Sequence, residues 1–281
     1  MRLTVLALLA LTAACSMAAR AEPPRVDRVP VASSMLRPGV PAVPVQLVAW
    51  FSRPQGAGPA PAVLLMHGCS GPGRNLPQWR RVLHELGYAV LSLDSFGGRG
   101  VQEICSDFSR VSDEERLADA HAGLDWLAAR ADVRSDRVAL IGFSHGGGIA
   151  LDVGSVRSRL ARPPGAATFV AVVAFYPACR PARRQTAEYA VPVQILIGEA
   201  DDWTPASRCR ELAMRSRGIP VELTVFPGAL HGFDVAGLPV ALRPDVRNVN
   251  RPGGWGSVTG EDPAAREAAE TLVKAFLLRQ L

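Results

Sequence analysis

Short runs of apolar residues alternate with amphipathic segments along most of the chain. The apolar runs are rich in Val, Ile, Leu and Ala, which is typical of strands buried on both faces of a parallel sheet. The segments between them repeat apolar residues at helical spacing, as Leu117, Ala120, Leu124 and Leu127 do. This alternation predicts an α/β fold with a mostly parallel, doubly wound sheet and helices on both faces.

The predicted strands and helices follow one another from residue 43 to the end of the chain. We expect strands at residues 43–51, 62–66, 88–93, 137–141, 168–175, 193–197 and 221–225. We expect helices at residues 77–86, 113–129, 145–159, 205–217 and 263–281. Residues 235–260 are interrupted by Gly, Pro and Asn, so we expect a long loop that borders the functional site.

The first 21 residues have the pattern of a secretory signal. Arg2 precedes an apolar stretch that is too short to span a membrane, and Ala19-Arg20-Ala21 then forms an A-x-A cleavage pattern. We expect cleavage after Ala21 and a periplasmic or secreted protein. The alternative is a lipid anchor at Cys15, against which Thr12 argues, because leucine is usual at that position.

The remaining chain predicts an extended arm at residues 22–44 and one α/β domain at residues 45–281. Loss of Arg2 and Arg20 with the signal, and of no acidic residue, lowers the formal net charge from +5 to +3. The basic residues are scattered along the chain. We therefore expect no nucleic-acid partner. A small-molecule substrate is expected from the motifs described below.

Four cysteines remain after the signal, an even number that suits an oxidising compartment. Cys69, Cys105, Cys179 and Cys209 allow three complete pairings, among which the sequence does not choose. Their spacing lacks the C-x-x-C pairs of a structural zinc site, so we expect disulfides or free thiols and no metal site. Cys69 lies inside a motif described below and is expected to stay unpaired.

Gly142-Phe-Ser-His-Gly146 carries the strongest chemical signal in the chain. It follows a buried strand and opens a helix, which is the context of a nucleophile elbow. Glycines on either side allow strand and helix to approach closely, and the helix N-terminus favours a developing oxyanion. We therefore expect Ser144 to act as a nucleophile once a base removes its proton.

The base and the acid are expected just after later strands, because parallel sheets gather catalytic groups at the carboxyl ends of their strands. Asp201 and His231 occupy such positions, and the chain order Ser, Asp, His is that of the α/β-hydrolase triad. We expect His231 to act as general base and acid and Asp201 to orient it. The alternative acid is Asp202, which is otherwise expected to cap the helix that follows.

An oxyanion hole needs two backbone N–H donors. One is expected from His145, directly after the nucleophile. The other is expected from Cys69 in the loop His67-Gly-Cys-Ser-Gly71, which follows a buried strand. The Cys69 side chain then needs no chemical role.

Three more residues lie near the predicted catalytic edge. Arg99 is expected either to bind a substrate carboxylate through a bidentate contact or to form an ion pair within its loop. Trp203 and Phe233 flank the acid and the base, and we expect them either to line an apolar substrate pocket or to pack in the core.

Taken together, these motifs resemble the dienelactone hydrolase family of α/β-hydrolases, in particular its exported, serine-containing branch. The resemblance covers roughly residues 45–281 and rests on residues 67–71, 94–100, 142–147, 198–205 and 227–233. It implies hydrolysis of an ester or lactone without a metal or an organic cofactor. The family's name-giving enzymes have cysteine at the position of Ser144, so the resemblance implies a carboxylic ester hydrolase and does not extend to dienelactone itself.

Two other functions share these motifs. A serine peptidase of the same fold usually carries a propeller or a large lid domain, and 281 residues leave no room for a propeller. A binding protein that has lost hydrolysis is expected to lack at least one member of the triad, and Ser144, Asp201 and His231 are all present. The sequence therefore favours a secreted or periplasmic serine esterase.

Overall fold

The structure is a computed structural model that describes residues 24–36, 39–54, 56, 58–180 and 188–281. The predicted signal peptide, its cleavage site and Cys15 lie outside the described residues. Within the described ranges, no helix combines the length and the apolar character needed to cross a membrane.

A sheet of eight strands lies at the centre of the described residues, in the order β1-β2-β4-β3-β5-β6-β8-β10. Its strands are β1 (Val26–Met35), β2 (Val43–Ser52), β3 (Ala60–Met66), β4 (Ala89–Asp94), β5 (Val133–Phe143), β6 (Ala171–Phe175), β8 (Val193–Gly198) and β10 (Val221–Phe226). The pairs β1/β2 and β2/β4 are antiparallel, and the other neighbours are parallel. Two small sheets pair β7 (Glu188–Tyr189) with β9 (Arg217–Gly218) and β11 (Ala241–Arg247) with β12 (Trp255–Thr259).

The helices connect the strands and cover the sheet. They are α1 (Asn75–Glu85), α2 (Asp113–Ala128), α3 (His145–Val153), α4 (Val156–Leu160), α5 (Ala206–Arg215) and α6 (Pro263–Gln280). Short 3₁₀ turns occur at Gly97–Arg99 and Pro252–Gly254. The capping box between Ser112 and Glu115 fixes the start of α2, as its sequence predicts.

Consecutive residues of the central strands are fully buried, including every residue of β3 from Ala62 to Met66. Because successive side chains of a strand point to opposite faces, both faces of the sheet are covered. The core therefore consists of two layers around the sheet, and the structure has the predicted α/β-hydrolase fold. The carboxyl ends of the parallel strands meet at one edge, where the loops that follow β3, β5, β8 and β10 come together.

The predicted helix at residues 145–159 is two helices in the structure. Ser155 has extended backbone, and its side chain accepts a hydrogen bond from the Ser158 N–H, so a new helix begins there. Gly154 packs against Val172 of β6, where a Cβ atom would lie 3.0 Å from the valine side chain. The break lets α3 end against the sheet.

The segment expected to form an arm, residues 22–44, contains β1 and so contributes to the main sheet. β1 pairs with β2 along its whole length, from Val26 opposite Ser52 to Met35 opposite Val43. It is also tied to α2, because the Ser33 hydroxyl donates to Asp119 Oδ1 at 2.6 Å. This strand covers the edge of the sheet at β2.

Candidate active site

The turn between β5 and α3 has the backbone of a nucleophile elbow. Ser144 lies at its apex with φ 53° and ψ −114°, one of two non-glycine residues with positive φ in the described residues. A Cβ atom on Gly142 would lie 2.0 Å from the Gly146 oxygen, and one on Gly146 would lie 2.4 Å from the Met66 oxygen. Only glycine fits at these positions, and the strained serine is held by its N–H bond to the Phe175 oxygen at 2.9 Å.

Ser144, His231 and Asp201 form one continuous chain of hydrogen bonds. The distance from Ser144 Oγ to His231 Nε2 is 2.9 Å, and that from His231 Nδ1 to Asp201 Oδ2 is 2.7 Å. His231 is 5 % exposed and Asp201 is 3 % exposed. The three residues come from loops after β5, β10 and β8, so the topology of the sheet brings together side chains that are distant in sequence.

The two adjacent acids have different partners. Asp201 Oδ1 accepts from the backbone N–H groups of Trp203 and Thr204, which leaves Oδ2 for His231 and the Thr204 hydroxyl. Asp202 instead accepts from the Ser257 hydroxyl of β12 at 2.6 Å and forms a salt bridge with Arg251. Asp201 is therefore the acid that faces the histidine, and Asp202 fastens the β11–β12 hairpin and caps no helix.

Aromatic rings enclose His231 from two sides. The ring centroids of Tyr176 and Trp203 lie 4.5 Å and 4.8 Å from that of His231. Tyr176 is itself anchored, because its hydroxyl donates to the buried Asp234 at 2.6 Å. Burial raises the pKa of Asp234, and the hydrogen bonds from Tyr176 and Trp79 oppose that shift. This packing restricts the orientation of the imidazole.

The loop after β3 is held by a buried histidine. His67 Nδ1–H donates to the Gly68 oxygen at 2.7 Å, and Nε2 accepts from the Ser95 N–H at 3.1 Å. Desolvation lowers the pKa of His67 well below its usual value, so the ring is neutral and both nitrogens are occupied within the protein. The loop contains Cys69, which lines the same cavity as Ser144 and His145.

Comparison with known proteins gives the same family as the motifs. A family model described as the dienelactone hydrolase family matches residues 47–280. The chain belongs to the dienelactone hydrolase family. An uncharacterized protein of Mycobacterium tuberculosis is 29 % identical over 230 residues, covering 74 % of this chain and 78 % of that protein.

Two further relatives extend the comparison. A Bradyrhizobium protein named as a probable 2-oxo-3-(5-oxofuran-2-ylidene)propanoate lactonase is 24 % identical over 204 residues, covering 66 % of this chain and 78 % of the relative. A solved structure of a dienelactone hydrolase-like promiscuous phosphotriesterase from metagenomic libraries matches with a TM-score of 0.61 at 19 % identity. That match covers 91 % of this chain and 98 % of the solved one, and it shows that the fold is shared.

The site of this dienelactone hydrolase family member opens into a cavity of about 370 Å³. Its walls include the β11–β12 hairpin, so residues 235–260 border the site as expected but form a small sheet instead of a loop without regular structure. The arginine side chains on the cavity wall have no acidic partner within salt-bridge distance in the described residues; they are Arg180, Arg208 and Arg247. The three arginines share the cavity wall with Asp107, and the sequence analysis did not identify them. No group of three or more His, Cys, Asp or Glu side chains among the described residues is placed to hold a metal ion.

Of the three additional residues predicted near the site, only Trp203 lines the cavity. Its indole Nε1 donates to the backbone oxygen of Arg247 at 2.8 Å. This bond joins the loop after β8, which carries Asp201, to the β11–β12 hairpin. Arg99 is unavailable to substrate, because its 3 % exposed side chain forms a bidentate pair with Asp119 at 2.8 and 2.9 Å. Phe233 is fully buried against Tyr176 and Phe226, so it belongs to the core.

All four cysteines of the described residues form disulfides. The expectation that Cys69 stays unpaired is wrong, because Cys69 is bonded to Cys105, with the two Cα atoms 4.9 Å apart. Cys179 is bonded to Cys209. Cys69 and Cys179 both line the cavity, so each disulfide holds one of its walls. The oxyanion role predicted for Cys69 uses only its backbone N–H and is compatible with this disulfide.

Proposed function

We propose that this protein is a serine hydrolase that cleaves a carboxylic ester or lactone through an acyl-enzyme on Ser144, after export to the periplasm or out of the cell. The observation that carries the proposal is the hydrogen-bonded chain from Ser144 through His231 to Asp201 at the elbow. Its order and geometry are those of a nucleophile, a base and an orienting acid. The lactonase name of the Bradyrhizobium relative supports this bond type, and the two disulfides support an oxidising compartment.

In the first step the Ser144 oxygen attacks the carbonyl carbon of the substrate, and its proton moves to His231 Nε2. Asp201 accepts a hydrogen bond from His231 Nδ1, which keeps Nε2 unprotonated beforehand and stabilises the imidazolium afterwards. The tetrahedral intermediate then collapses, and the departing alcohol oxygen takes the proton from Nε2. The acyl group remains bonded to Ser144.

The negative charge that develops on the carbonyl oxygen needs donors already in place. We assign this role to the backbone N–H groups of Cys69 and His145. Neither group donates to another protein atom within the described residues, and both residues line the cavity beside Ser144. Water then attacks the acyl-enzyme with His231 as base, and collapse of the second intermediate restores Ser144.

The test is hydrolysis of short-chain p-nitrophenyl esters by residues 22–281, compared with the Ser144→Ala variant. We expect the variant to lose kcat by about 10⁴-fold or more while keeping its circular dichroism spectrum. Ser109→Ala is the matched control, because this cavity-lining hydroxyl is bonded to Asp107 in its own loop. Equal activity of the native protein and Ser144→Ala would contradict the proposal. A panel that pairs neutral with anionic esters measures what the cavity arginines contribute.

A further inference from the structure

Arg116 of α2 is fully buried and contacts two different loops of the site. Its Nη2 donates to the His67 oxygen at 2.7 Å. Its Nη1 lies 2.9 Å from Nδ1 of His145. One guanidinium group therefore joins the loop after β3 to the first residue after the nucleophile.

These two loops carry the two proposed oxyanion donors. The inference therefore rests on the proposed function, which assigns those donors. His67 lies two residues before Cys69, and His145 is itself the second donor. A guanidinium is planar, and its nitrogens are held in a rigid fork. Two hydrogen bonds from one fork fix the separation of their acceptors more closely than two independent contacts do.

The protonation of His145 follows from its neighbours. Arginine only donates, so Nδ1 of His145 accepts from Arg116 and the ring proton lies on Nε2. Nε2 is 2.9 Å from Asp113 Oδ1 and donates to it. Burial, as the largest cause, and Arg116 lower the pKa of His145, although Asp113 opposes them. The ring of Phe108 stacks on His145 with 5.7 Å between centroids, and His145 is a neutral, oriented link.

Stability alone does not account for Arg116. No carboxylate of the described residues forms a salt bridge with Arg116, although Asp119 and Asp113 are near enough to favour its charge and its Cζ lies 5.1 Å from the centroid of the Phe96 ring. The side chain of Arg99, which is 3 % exposed, has Asp119 at 2.8 Å. Within the described residues, neither Arg116 Nε nor Arg99 Nε has a hydrogen-bond partner. Burial lowers the pKa of Arg116 to about 10, although Asp119 and Asp113 oppose the shift. A buried cation with these partners is costly to desolvate. An apolar residue at this position of α2 would avoid that cost. The contacts of Arg116 with the two loops therefore need an explanation other than stability.

We infer that Arg116 is a positioning residue that sets the separation of the Cys69 and His145 N–H groups. It touches neither substrate nor reacting atoms. It acts on the transition state through the two loops that it joins, so its loss lowers kcat and leaves ground-state binding largely intact.

The first test compares Arg116→Gln and Arg116→Lys with Arg99→Gln, a control that also loses a buried guanidinium contacting α2. Removal of one oxyanion donor costs about 10²–10³-fold in kcat, so we expect a displaced donor to cost about 10–100-fold in Arg116→Gln. Lysine has three N–H donors on a single nitrogen at the end of a flexible stem, so it cannot hold the two acceptors at the fixed spacing of the guanidinium fork, and Arg116→Lys is expected to lose kcat as well. We expect KM to change by no more than about threefold in either variant. Arg99→Gln is expected to lower the melting temperature without this loss of kcat.

The second test changes the acceptor instead of the donor, in case the Arg116 variants do not fold. His145→Leu removes the acceptor of Nη1, and His145→Asn retains a side-chain oxygen near the position of Nδ1. We expect the leucine variant to lose kcat as Arg116→Gln does and the asparagine variant to keep more of it. Equal kcat in the two His145 variants would contradict the inference.

An alkyl boronic acid separates this role from a structural one, because it forms a tetrahedral adduct on serine that mimics the intermediate. We expect Ki for the boronic acid to rise in Arg116→Gln by about the factor that kcat falls, with an unchanged Ki for the carboxylic acid product. A folded Arg116→Gln with native kcat would overturn the inference but leave the proposed function standing. An Arg99→Gln that loses kcat as much as Arg116→Gln would do the same. A native protein that hydrolyses no ester and binds no boronic acid overturns the proposed function and this inference with it.

Discussion

Asp201→Asn is the substitution for which the structure makes the sharpest prediction. The two carboxylate oxygens of Asp201 have different surroundings. Oδ1 accepts from two backbone N–H groups, those of Trp203 and Thr204, at 2.9 and 2.8 Å. Oδ2 faces His231 Nδ1 at 2.7 Å and the Thr204 hydroxyl at 2.8 Å.

An asparagine at this position has only one oxygen to offer. The backbone N–H groups of Trp203 and Thr204 are fixed in place and need an acceptor at the Oδ1 position. The asparagine oxygen therefore takes that position, and the amide NH₂ group points at His231. Nδ1 of His231 must then accept, and the ring proton moves to Nε2. Nε2 in that tautomer donates to Ser144 and can no longer remove its proton.

We expect Asp201→Asn to lower kcat by about 10⁴-fold, which corresponds to about 5 kcal/mol of transition-state stabilisation at 1.36 kcal/mol per tenfold. The assay is p-nitrophenyl ester hydrolysis at saturating substrate, with melting temperature as the check on folding. Asp202→Asn is the matched control, because Asp202 binds Ser257 and Arg251 of the hairpin region and not the histidine. A kcat for Asp201→Asn within tenfold of the native value would refute the reasoning, as would an equal loss in Asp202→Asn.

Three more predictions test separate parts of the structure. Gly146→Ala places a Cβ atom 2.4 Å from the Met66 oxygen, so we expect a displaced elbow and at least about a tenfold loss of kcat, measured with the same ester. Cys105→Ser opens a disulfide with a sequence separation of 36, which we expect to cost up to about 4 kcal/mol in a denaturant titration; a native midpoint would contradict this. Burial, as the main cause, lowers the pKa of His121 to about 4, below the usual 6.5, so the unfolded chain binds the proton more tightly and stability falls as pH drops through this window. His121→Gln is expected to flatten that fall in melting temperature, and an unchanged pH profile would count against it.

Local patterns were sufficient to predict most of the main sheet. The central strands are continuous apolar runs because both of their faces are buried, and that signal depends on no distant residue. β1 was missed as a strand because it lies at the sheet edge, where its burial alternates but its residue types do not: apolar Val26, Pro30 and Ala32 stand at exposed positions and polar Asp27 and Ser33 at half-buried ones. The β11–β12 hairpin was missed for a similar reason, because its strands are short, contain a register shift and are largely exposed.

The elbow was predictable because its backbone geometry allows only glycine at Gly142 and Gly146. The glycines of the motif therefore indicate the turn directly in the sequence. Side-chain pairs that only the tertiary structure brings together were not predictable from the sequence. Arg99 forms a salt bridge with Asp119 of α2, and Cys69 forms a disulfide with Cys105 from another loop. Arg116 did leave a signal, because it lies four residues before Ala120 on the buried side of α2, and an arginine at a core position calls for a polar partner.

The central claim is that Ser144 carries the acyl group during turnover. The most direct measurement is mass spectrometry of the native protein, quenched with acid during reaction with a slowly deacylating aryl ester and then digested with a protease. We predict one acyl group on the peptide that contains Ser144, and none in Asp201→Asn quenched at the same time. An unmodified Ser144 peptide during steady turnover, or an acyl group on a different residue, would contradict the account.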